Sequence, residues 1–515
     1  MRAWRRRPAP CAAPSSDTAC RRPFTSSRAL QRQASIAHVL RSNAQQDEIE
    51  VTGWVRSVRT QKRVAFVHLG DGSTTEPLQA VLKPVHAADL SYGSAISLKG
   101  LWQASTGGKQ RHELQVSSIR VLGENNAESN PLQPKYQTAE YLRTIPHLRP
   151  RIPTNSLLLR LRSQVIATIT AFFNEEGFVQ THTPIITSSD CEGAGQVFTV
   201  SSNASKQSGQ KSNPHTEAQV EHFFRNPKYL TVSAQLHLEA LAQAVEKVWT
   251  LSPAFRAEHS DTPRHLSEFY MLEAELCFVE DMASVMHLVE RMLRTVAINL
   301  SSSSLGRELA QSKHWLDMPA AEHVPRSSDQ DLLQKRWKGM AAENWPRITY
   351  HHAIQHLQTA ASENKIAFAF KPTIEDGLQA EHERYLAQSI GQGTPVFVTD
   401  YPIHQKPFYM PPSTTTANSK GTSETAACFD LLVPDLCELV GGSMREHRSE
   451  HLLAAMRRKG VAGENLEWYQ DLRKYGSVPH GGFGLGFDRL LCYLSGVGSV
   501  RDIVAFPRWY GRCDC

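Results

Sequence analysis

From Ile49 to Val121 apolar and polar residues alternate in short runs. Ile49–Val55, Val64–Leu69, Leu78–Leu82, Ala95–Leu101 and Leu114–Val121 each follow the period of two expected of a half-buried strand. Gly and Asp-Gly turns punctuate them, so these five strands predict a small barrel of the OB type. From 124 to 150 the chain is rich in Asn, Pro and Gln and reads as a linker. The period then changes. Leu158, Leu161, Val165, Ile169 and Phe172 recur at helical spacing, which predicts an amphipathic helix starting after a cap at Thr154 or Asn155 and stopping at Gly177.

Strand patterns return further on, now with charges on one face. In Leu251–Glu258 the period of two puts Arg256 and Glu258 together. In Glu268–Leu276 the positions Tyr270, Leu272, Ala274 and Leu276 form an apolar face, and Phe269, Met271, Glu273 and Glu275 the other. Such a face can stack a ring at one end and bind a cation at the other; a hairpin with one solvated face shows the same alternation. His259, Asp261, Arg264 and His265 in the connecting segment add the basic groups that phosphate recognition uses. Phe429–Arg445 reads as an apolar strand with Asp430 and Glu438 eight apart, then Gly441, Gly442 and Arg445. Buried acids without partners are costly, so Mg²⁺ or the cationic groups of a ligand are the economical companions. Gly481–Leu491 reads as a glycine-rich strand entering a helix near Arg489. Its spacing is neither the dinucleotide fingerprint nor a Walker loop, but its glycines admit close approach of a ligand. His352 and His356 stand at i and i+4; without a Glu of the His-Glu-x-x-His type, an amphipathic helix accounts for them.

The 515 residues allow two to four domains, and 40% hydrophobic with 21% charged is a globular balance. Arg160 and Arg162 interrupt the longest apolar run, so no membrane partner is expected. Nine cysteines without a Cys-x-x-Cys give neither a disulfide framework nor zinc spacing, and Cys513-Asp514-Cys515 makes a poor soft-metal site. The net charge of +5 is unevenly placed: residues 1–41 hold nine arginines and one acid, Asp17. This Arg- and Ser-rich stretch reads as a mitochondrial targeting leader with a processing region near Arg21–Ser27; the alternative is a basic RNA-binding tail. Stretches 201–216, 301–344 and 411–424 read as insertions.

Phe255-Arg256-x-Glu258 with Arg264–Phe269 resembles the second signature motif of class II aminoacyl-tRNA synthetases, and Gly484–Arg489 the third. The helix ending at Gly177, with Thr181-His182-Thr183-Pro184, resembles the first, whose proline sits at a dimer interface. A preceding OB domain is similar to the subgroup that charges aspartate, asparagine and lysine. The resemblance implies an α+β chain: an OB-type anticodon-binding barrel over 48–123, a linker over 124–150, and a catalytic domain over 151–515 built on an antiparallel sheet flanked by helices. Within the subgroup, Ser233–Glu239, Phe223-Phe224 and Lys406–Met410 resemble asparaginyl enzymes; aspartyl enzymes carry lysine in the place of Leu238. Gln196 and Pro411 depart from that pattern.

The resemblance further implies ATP-dependent charging of tRNA-Asn through an asparaginyl-adenylate, in the mitochondrial matrix, by a homodimer joined near Pro184. Arg256, Glu258 and Arg489 would be catalytic, and Arg264, His265, Phe269 and Gly486 would complete the ATP site with Asp430 and Glu438, which would hold Mg²⁺. Glu192, Ser233, Gln235, Glu273 and Arg445 would bind asparagine. On the barrel Arg56, Arg59, Phe66 and Gln79 would read the anticodon, although alternation alone equally allows Phe66 to be core. The rivals are aspartyl charging and an inactive RNA-binding or regulatory relative of the synthetases.

Overall fold

In the computed structural model, β1 (Asp47–Thr60), β2 (Ala65–Gly70), β3 (Leu78–Leu82), β4 (Ala95–Ala104) and β5 (His112–Gly123) close into a barrel in the order β1-β2-β3-β5-β4. The described residues are 34–42, 47–105, 107, 110–188, 197–202, 223–312, 331–413, 424–461 and 465–515, and they form two units, the barrel being one. Alternation decides what enters the barrel: Ala65, Val67 and Leu69 of β2 and Leu78 and Ala80 of β3 are fully buried. Phe66, between them, therefore faces outward and is not core. β1 continues through Thr60, past the expected Val55, with a bulge between Val55 and Ser57 that re-aims its second half. Helix α1 (Ile36–Arg41), within the stretch read as leader, buries Ile36 and Val39 in this same core, and α2 (Pro84–Ala87) adds Ala87.

The second unit is organised by an eight-stranded sheet. Its strands are β6 (Val179–Gln180), β10 (Lys247–Phe255), β11 (Glu268–Cys277), β12 (Arg347–Thr349), β13 (Val396–Thr399), β14 (Cys428–Val433), β15 (Cys437–Arg445) and β16 (His480–Gly486). The order is β12-β13-β14-β15-β16-β11-β10-β6, antiparallel except at the edge pairs β12/β13 and β6/β10. A small sheet, β7 (Ile186–Thr187), β9 (Lys228–Leu230) and β8 (Thr199–Val200), lies in the same unit. The segment read as one strand from Phe429 to Arg445 is instead the hairpin β14–β15. Asp435 and Cys437 turn the chain at φ of 67° and 71°, and Asp430 pairs with Gly441.

The flanking helices are α3 (Ala139–Arg143), α4 (Pro153–Glu175), α5 (Gln235–Val245), α6 (Met282–Ser302), α7 (Ser304–Gln311), α8 (Asp331–Ala341) and α9 (Tyr350–Ser362). They continue with α10 (Ala380–Ser389), α11 (Ser449–Lys459), α12 (Glu467–Lys474), α13 (Phe487–Ser495) and α14 (Val500–Ile503). α4 is long and apolar enough by composition to cross a membrane, but Leu157, Leu161, Ile169 and Phe173 on it are buried in the core beside Trp249. It starts at Pro153, not after a Thr154 or Asn155 cap, because Pro at the first helical position has its φ preset and needs no N–H partner.

The stretch read as a linker carries α3 and is pinned by charge: Arg143 donates to Asp502 at 2.6 Å and the buried Arg149 to the Arg501 carbonyl at 2.9 Å. The stretch read as a peripheral insertion at 301–344 contributes Trp337 and Met340 to the core through α8. Residues 203–222 and 414–423, most of the other two insertions, lie outside the described residues. His352 and His356 lie on α9, where His356 Nε2 meets Ser389 Oγ at 3.0 Å.

Candidate active site

One face of the large sheet is opened by glycine. β16 lies between β11 and β15 with Glu273 opposite Gly484 and Gly484 opposite Gly441. A Cβ on Gly484 would come within 2.9 Å of the Met271 side chain, and one on Gly441 within 3.3 Å of a Glu438 carboxylate oxygen. The missing side chains thus leave room above the strands, and the alternating face of β11 supplies the walls.

Two adjoining cavities occupy that room. The first, about 150 Å³, is lined by Arg256, Glu258, Arg264, His265, Phe269, Glu438, Gly486 and Arg489, among others. The second, about 300 Å³, is lined by Ser233, Gln235, Leu238, Glu273, Glu275, Lys406, Tyr409, Asp430, Glu438 and Arg445, among others. Arg256, Met271, Glu438 and Gly484 line both, so Arg256 stands at their junction. Of the residues read from the sequence, Glu192 lies outside the described residues. Asp430 lines the second cavity and is not among the residues lining the first.

The first cavity is an aromatic and cationic enclosure. Arg256 holds its guanidinium 5.7 Å from the Phe269 ring centre and 3.9 Å from Glu258. His265 stands 3.6 Å from Glu258 and shares a hydrogen bond with Ser260 Oγ; burial depresses its proton affinity. Arg489 enters from α13 and donates to the Glu438 carbonyl at 3.2 Å. The start of α13 is fixed by Asp488, which accepts from Arg162 at 2.6 Å and from the Tyr270 N–H at 3.0 Å.

The second cavity rests on buried charge. Glu273 accepts from Ser233 Oγ at 2.5 Å and from the Ala234 N–H at 2.9 Å. Beneath it Glu239, fully buried, accepts from Arg473 at 2.6 Å, Tyr469 at 2.7 Å and Gln235 at 3.0 Å, with His480 at 3.2 Å. Burial alone would raise the Glu239 carboxyl, but Arg473, His480 and Arg445 hold it well below the usual carboxylate range. Glu275 is raised by burial against the pull of Arg445, which pairs with it at 3.1 Å. Arg445 also lies 5.5 Å from the Tyr409 ring centre.

On the far wall Lys406 pairs with Asp430 at 3.1 Å and stays protonated despite burial because of that carboxylate. Glu438 is raised by burial and by Asp430. Glu383 on α10, which accepts from the Glu438 N–H at 3.3 Å, is pushed up to about 7 by burial and these two acids. Sequence reasoning assigned no role to Glu239, Glu383, Lys406, Arg473 or His480, and counted Glu275 only among the acids of a cation-binding strand face. For Glu275 the signal was present, two residues beyond Glu273 on the same strand face.

On the barrel, Arg59 pairs with Phe66 across β1 and β2, and His68 pairs with Gln79 across β2 and β3, so these side chains share the outer face. Gln79 donates to Glu113 at 3.2 Å, and Arg56 lies over Gly70.

Comparison with known proteins agrees with both units. The family "tRNA synthetases class II (D, K and N)" matches residues 139–510, and "OB-fold nucleic acid binding domain" matches 49–122. The chain is 40% identical over 478 residues to the mitochondrial asparagine-tRNA ligase of Saccharomyces cerevisiae, covering 90% of this chain and 92% of that one. It is 40% identical over 468 residues to the mitochondrial asparagine-tRNA ligase of Schizosaccharomyces pombe, covering 90% and 94%. Among solved structures, asparaginyl-tRNA synthetase from Pyrococcus horikoshii complexed with asparaginyl-adenylate superposes with a TM-score of 0.78 at 26% identity, over 94% of this chain and 99% of that one.

Proposed function

The chain belongs to the class II aminoacyl-tRNA synthetases of the aspartate, lysine and asparagine group, and within it to the asparaginyl-tRNA synthetases; from that membership we propose how its cleft joins asparagine to tRNA-Asn through an asparaginyl-adenylate. The observation that carries the reading is the place of Arg256, on the wall shared by an aromatic, phosphate-suited cavity and a small polar one.

ATP enters the first cavity with its adenine between Phe269 and Arg489, and Arg264 and His265 meet the polyphosphate. Asparagine enters the second: Glu273, held by Ser233, receives the α-ammonium, and Arg445 donates to the side-chain carbonyl. Glu192, by resemblance, and Gln235 complete this end. The α-carboxylate then points at the junction, where Arg256 can donate to it and to the α-phosphate as charge builds on both during in-line attack. The carboxylate oxygen bonds to the α-phosphorus, and pyrophosphate leaves with the displaced electron pair. A terminal ribose hydroxyl of the tRNA next attacks the activated carbonyl and releases AMP. No side-chain nucleophile is needed.

The choice of a neutral amide over aspartate follows from charge. Apart from Arg256 at the junction, the cations lining the second cavity are already matched, Arg445 by Glu275 and Lys406 by Asp430, and Leu238 is apolar and buried. An aspartate side chain would add a carboxylate beside Glu275 and Glu239, at an Arg445 whose charge Glu275 already offsets.

The donor set fits a hard divalent cation. Asp430 and Glu438 are carboxylates near the same open edge of Gly441, and Glu438 and Glu383 are raised by burial among acids that such an ion would relieve. We therefore assign Asp430 and Glu438 to Mg²⁺, which when bound offsets the charge of the leaving pyrophosphate.

On the barrel the outward Phe66, with Arg56, Arg59 and Gln79, offers a stacking ring and polar groups to anticodon bases. The exposed Pro184 and Ile185 suit a homodimer contact. The Arg-rich first residues and the mitochondrial relatives support action in mitochondria, in the matrix, with a barrel over 48–123 and a catalytic domain over 151–515. Amino-acid-dependent ATP/pyrophosphate exchange tests the reading: asparagine should support exchange and aspartate should not, and the reverse preference overturns it.

A further inference from the structure

The first described element lies inside the stretch whose composition reads as a leader. Ser35 caps α1, its Oγ accepting from the His38 N–H at 3.3 Å, and the Ile36 N–H donates to Asp71 at 2.9 Å. Ile36 is fully buried and Val39 is 3% exposed, both among the apolar side chains of the barrel core. A six-residue helix does not hold itself together in water, so this packing is what makes it a helix. Removing it would open the core where Ile36 sits. The positive charge, by contrast, lies elsewhere: eight of the nine arginines in residues 1–41 precede Ala34, and only Arg41 belongs to α1.

We infer that α1 is a permanent part of the barrel and that the leader is removed at a peptide bond before Ser35. A processing peptidase hydrolyses that bond, water giving its hydroxyl to the new carboxyl group and a proton to the new amine. Targeting charge and folded core are then divided between two non-overlapping segments. Arg21–Ser27, which reads as a processing region, lies on the permitted side. This inference rests on the mitochondrial reading for the cut and on the structure alone for the retention of α1.

The test has two arms. The 515-residue chain is expressed in cells, recovered from mitochondria, and its first residue determined by mass spectrometry. The expected N-terminus lies downstream of the first arginines and no later than Ser35; an uncut chain recovered from mitochondria, or an N-terminus at Ile36 or beyond, overturns the inference. In parallel, purified chains spanning 34–515 and 43–515 are compared by thermal unfolding. The shorter chain should lose the barrel transition or have it lowered; equal transitions overturn the inference. Because 43–515 can fail to fold altogether, Ile36→Ala in the 34–515 chain supplies a milder change. It should lower the barrel transition by on the order of 10 °C with asparagine activation unchanged, and an unmoved transition counts against the inference. A full-length, unshortened chain outside mitochondria would remove the targeting reading and the cut, and the unfolding comparison would still decide the place of α1.

Discussion

Replacing Arg445 by alanine separates what this residue does for folding from the contact to asparagine proposed for it. Arg445 is 4% exposed and pairs with Glu275, 1% exposed, at 3.1 Å, with Glu239 4.0 Å away. Removing the cation leaves a buried carboxylate without its partner, and breaking one side of such a pair costs about 3–5 kcal/mol. The loss should depend on pH in a defined direction. Burial already raises Glu275, and without Arg445 it rises further above its unfolded value of about 4.3. Between those two values the folded variant holds a proton that the unfolded chain has released, so its stability falls as pH rises through the window. Urea unfolding should therefore show a larger deficit at pH 8 than at pH 5. Adding Glu275→Gln to Arg445→Ala removes the uncompensated charge and should recover most of the stability, while asparagine-dependent pyrophosphate exchange stays abolished. Recovery of exchange in the double variant would refute the contact to the side-chain carbonyl; a single variant as stable as the parent at pH 8 would refute the buried-pair argument.

Arg256→Ala should behave differently, because its side chain is about one-third exposed and its neighbour Glu258 is 3.9 Å away. Exchange should fall by roughly 10²–10³ for loss of a charge-stabilising donor, with stability changed by less than about 1 kcal/mol in urea titrations; a large stability loss would contradict the assignment. Phe66→Ala, on the outer face of the barrel, should weaken tRNA binding by about 1–3 kcal/mol in filter-binding assays and leave adenylate formation intact; equal loss in both steps would remove the anticodon reading. Trp337→Ala should destabilise the second unit by about 3–5 kcal/mol, since Trp337 is 3% exposed and donates to the Leu494 carbonyl at 2.9 Å. An unaffected unfolding curve would show that α8 is dispensable.

The parts of the fold that were legible in the chain are those where one period governs one element. The alternation of β11 placed Phe269, Met271, Glu273 and Glu275 on one face, and both cavities use that face. The barrel strands were legible for the same reason, although Phe66 could be set outside only once Ala65 and Val67 were seen inside. The hairpin β14–β15 carried a turn signal in Pro434-Asp435, but apolar residues run up to it on both sides and its second positive-φ position is Cys437, not Gly or Asn, so the segment read as one strand. In α8, Lys335, Arg336 and Lys338 mask the spacing of Leu333, Trp337 and Met340. The charges under the second cavity were beyond any local pattern: Glu239 meets Arg473 and His480 across more than 230 residues. Glu383 sits among polar residues of α10, where one more acid looks like a solvated face until β15 packs beside it.

The central claim is that nucleotide and amino acid lie head to tail across Arg256. A crystal structure with a non-hydrolysable asparaginyl-adenylate analogue measures it directly. The account predicts the adenine between Phe269 and Arg489, the phosphate mimic within hydrogen-bond reach of Arg256, and the carboxamide at Arg445. An analogue bound with its carboxamide away from Arg445, or with its phosphate mimic out of reach of Arg256, would contradict it.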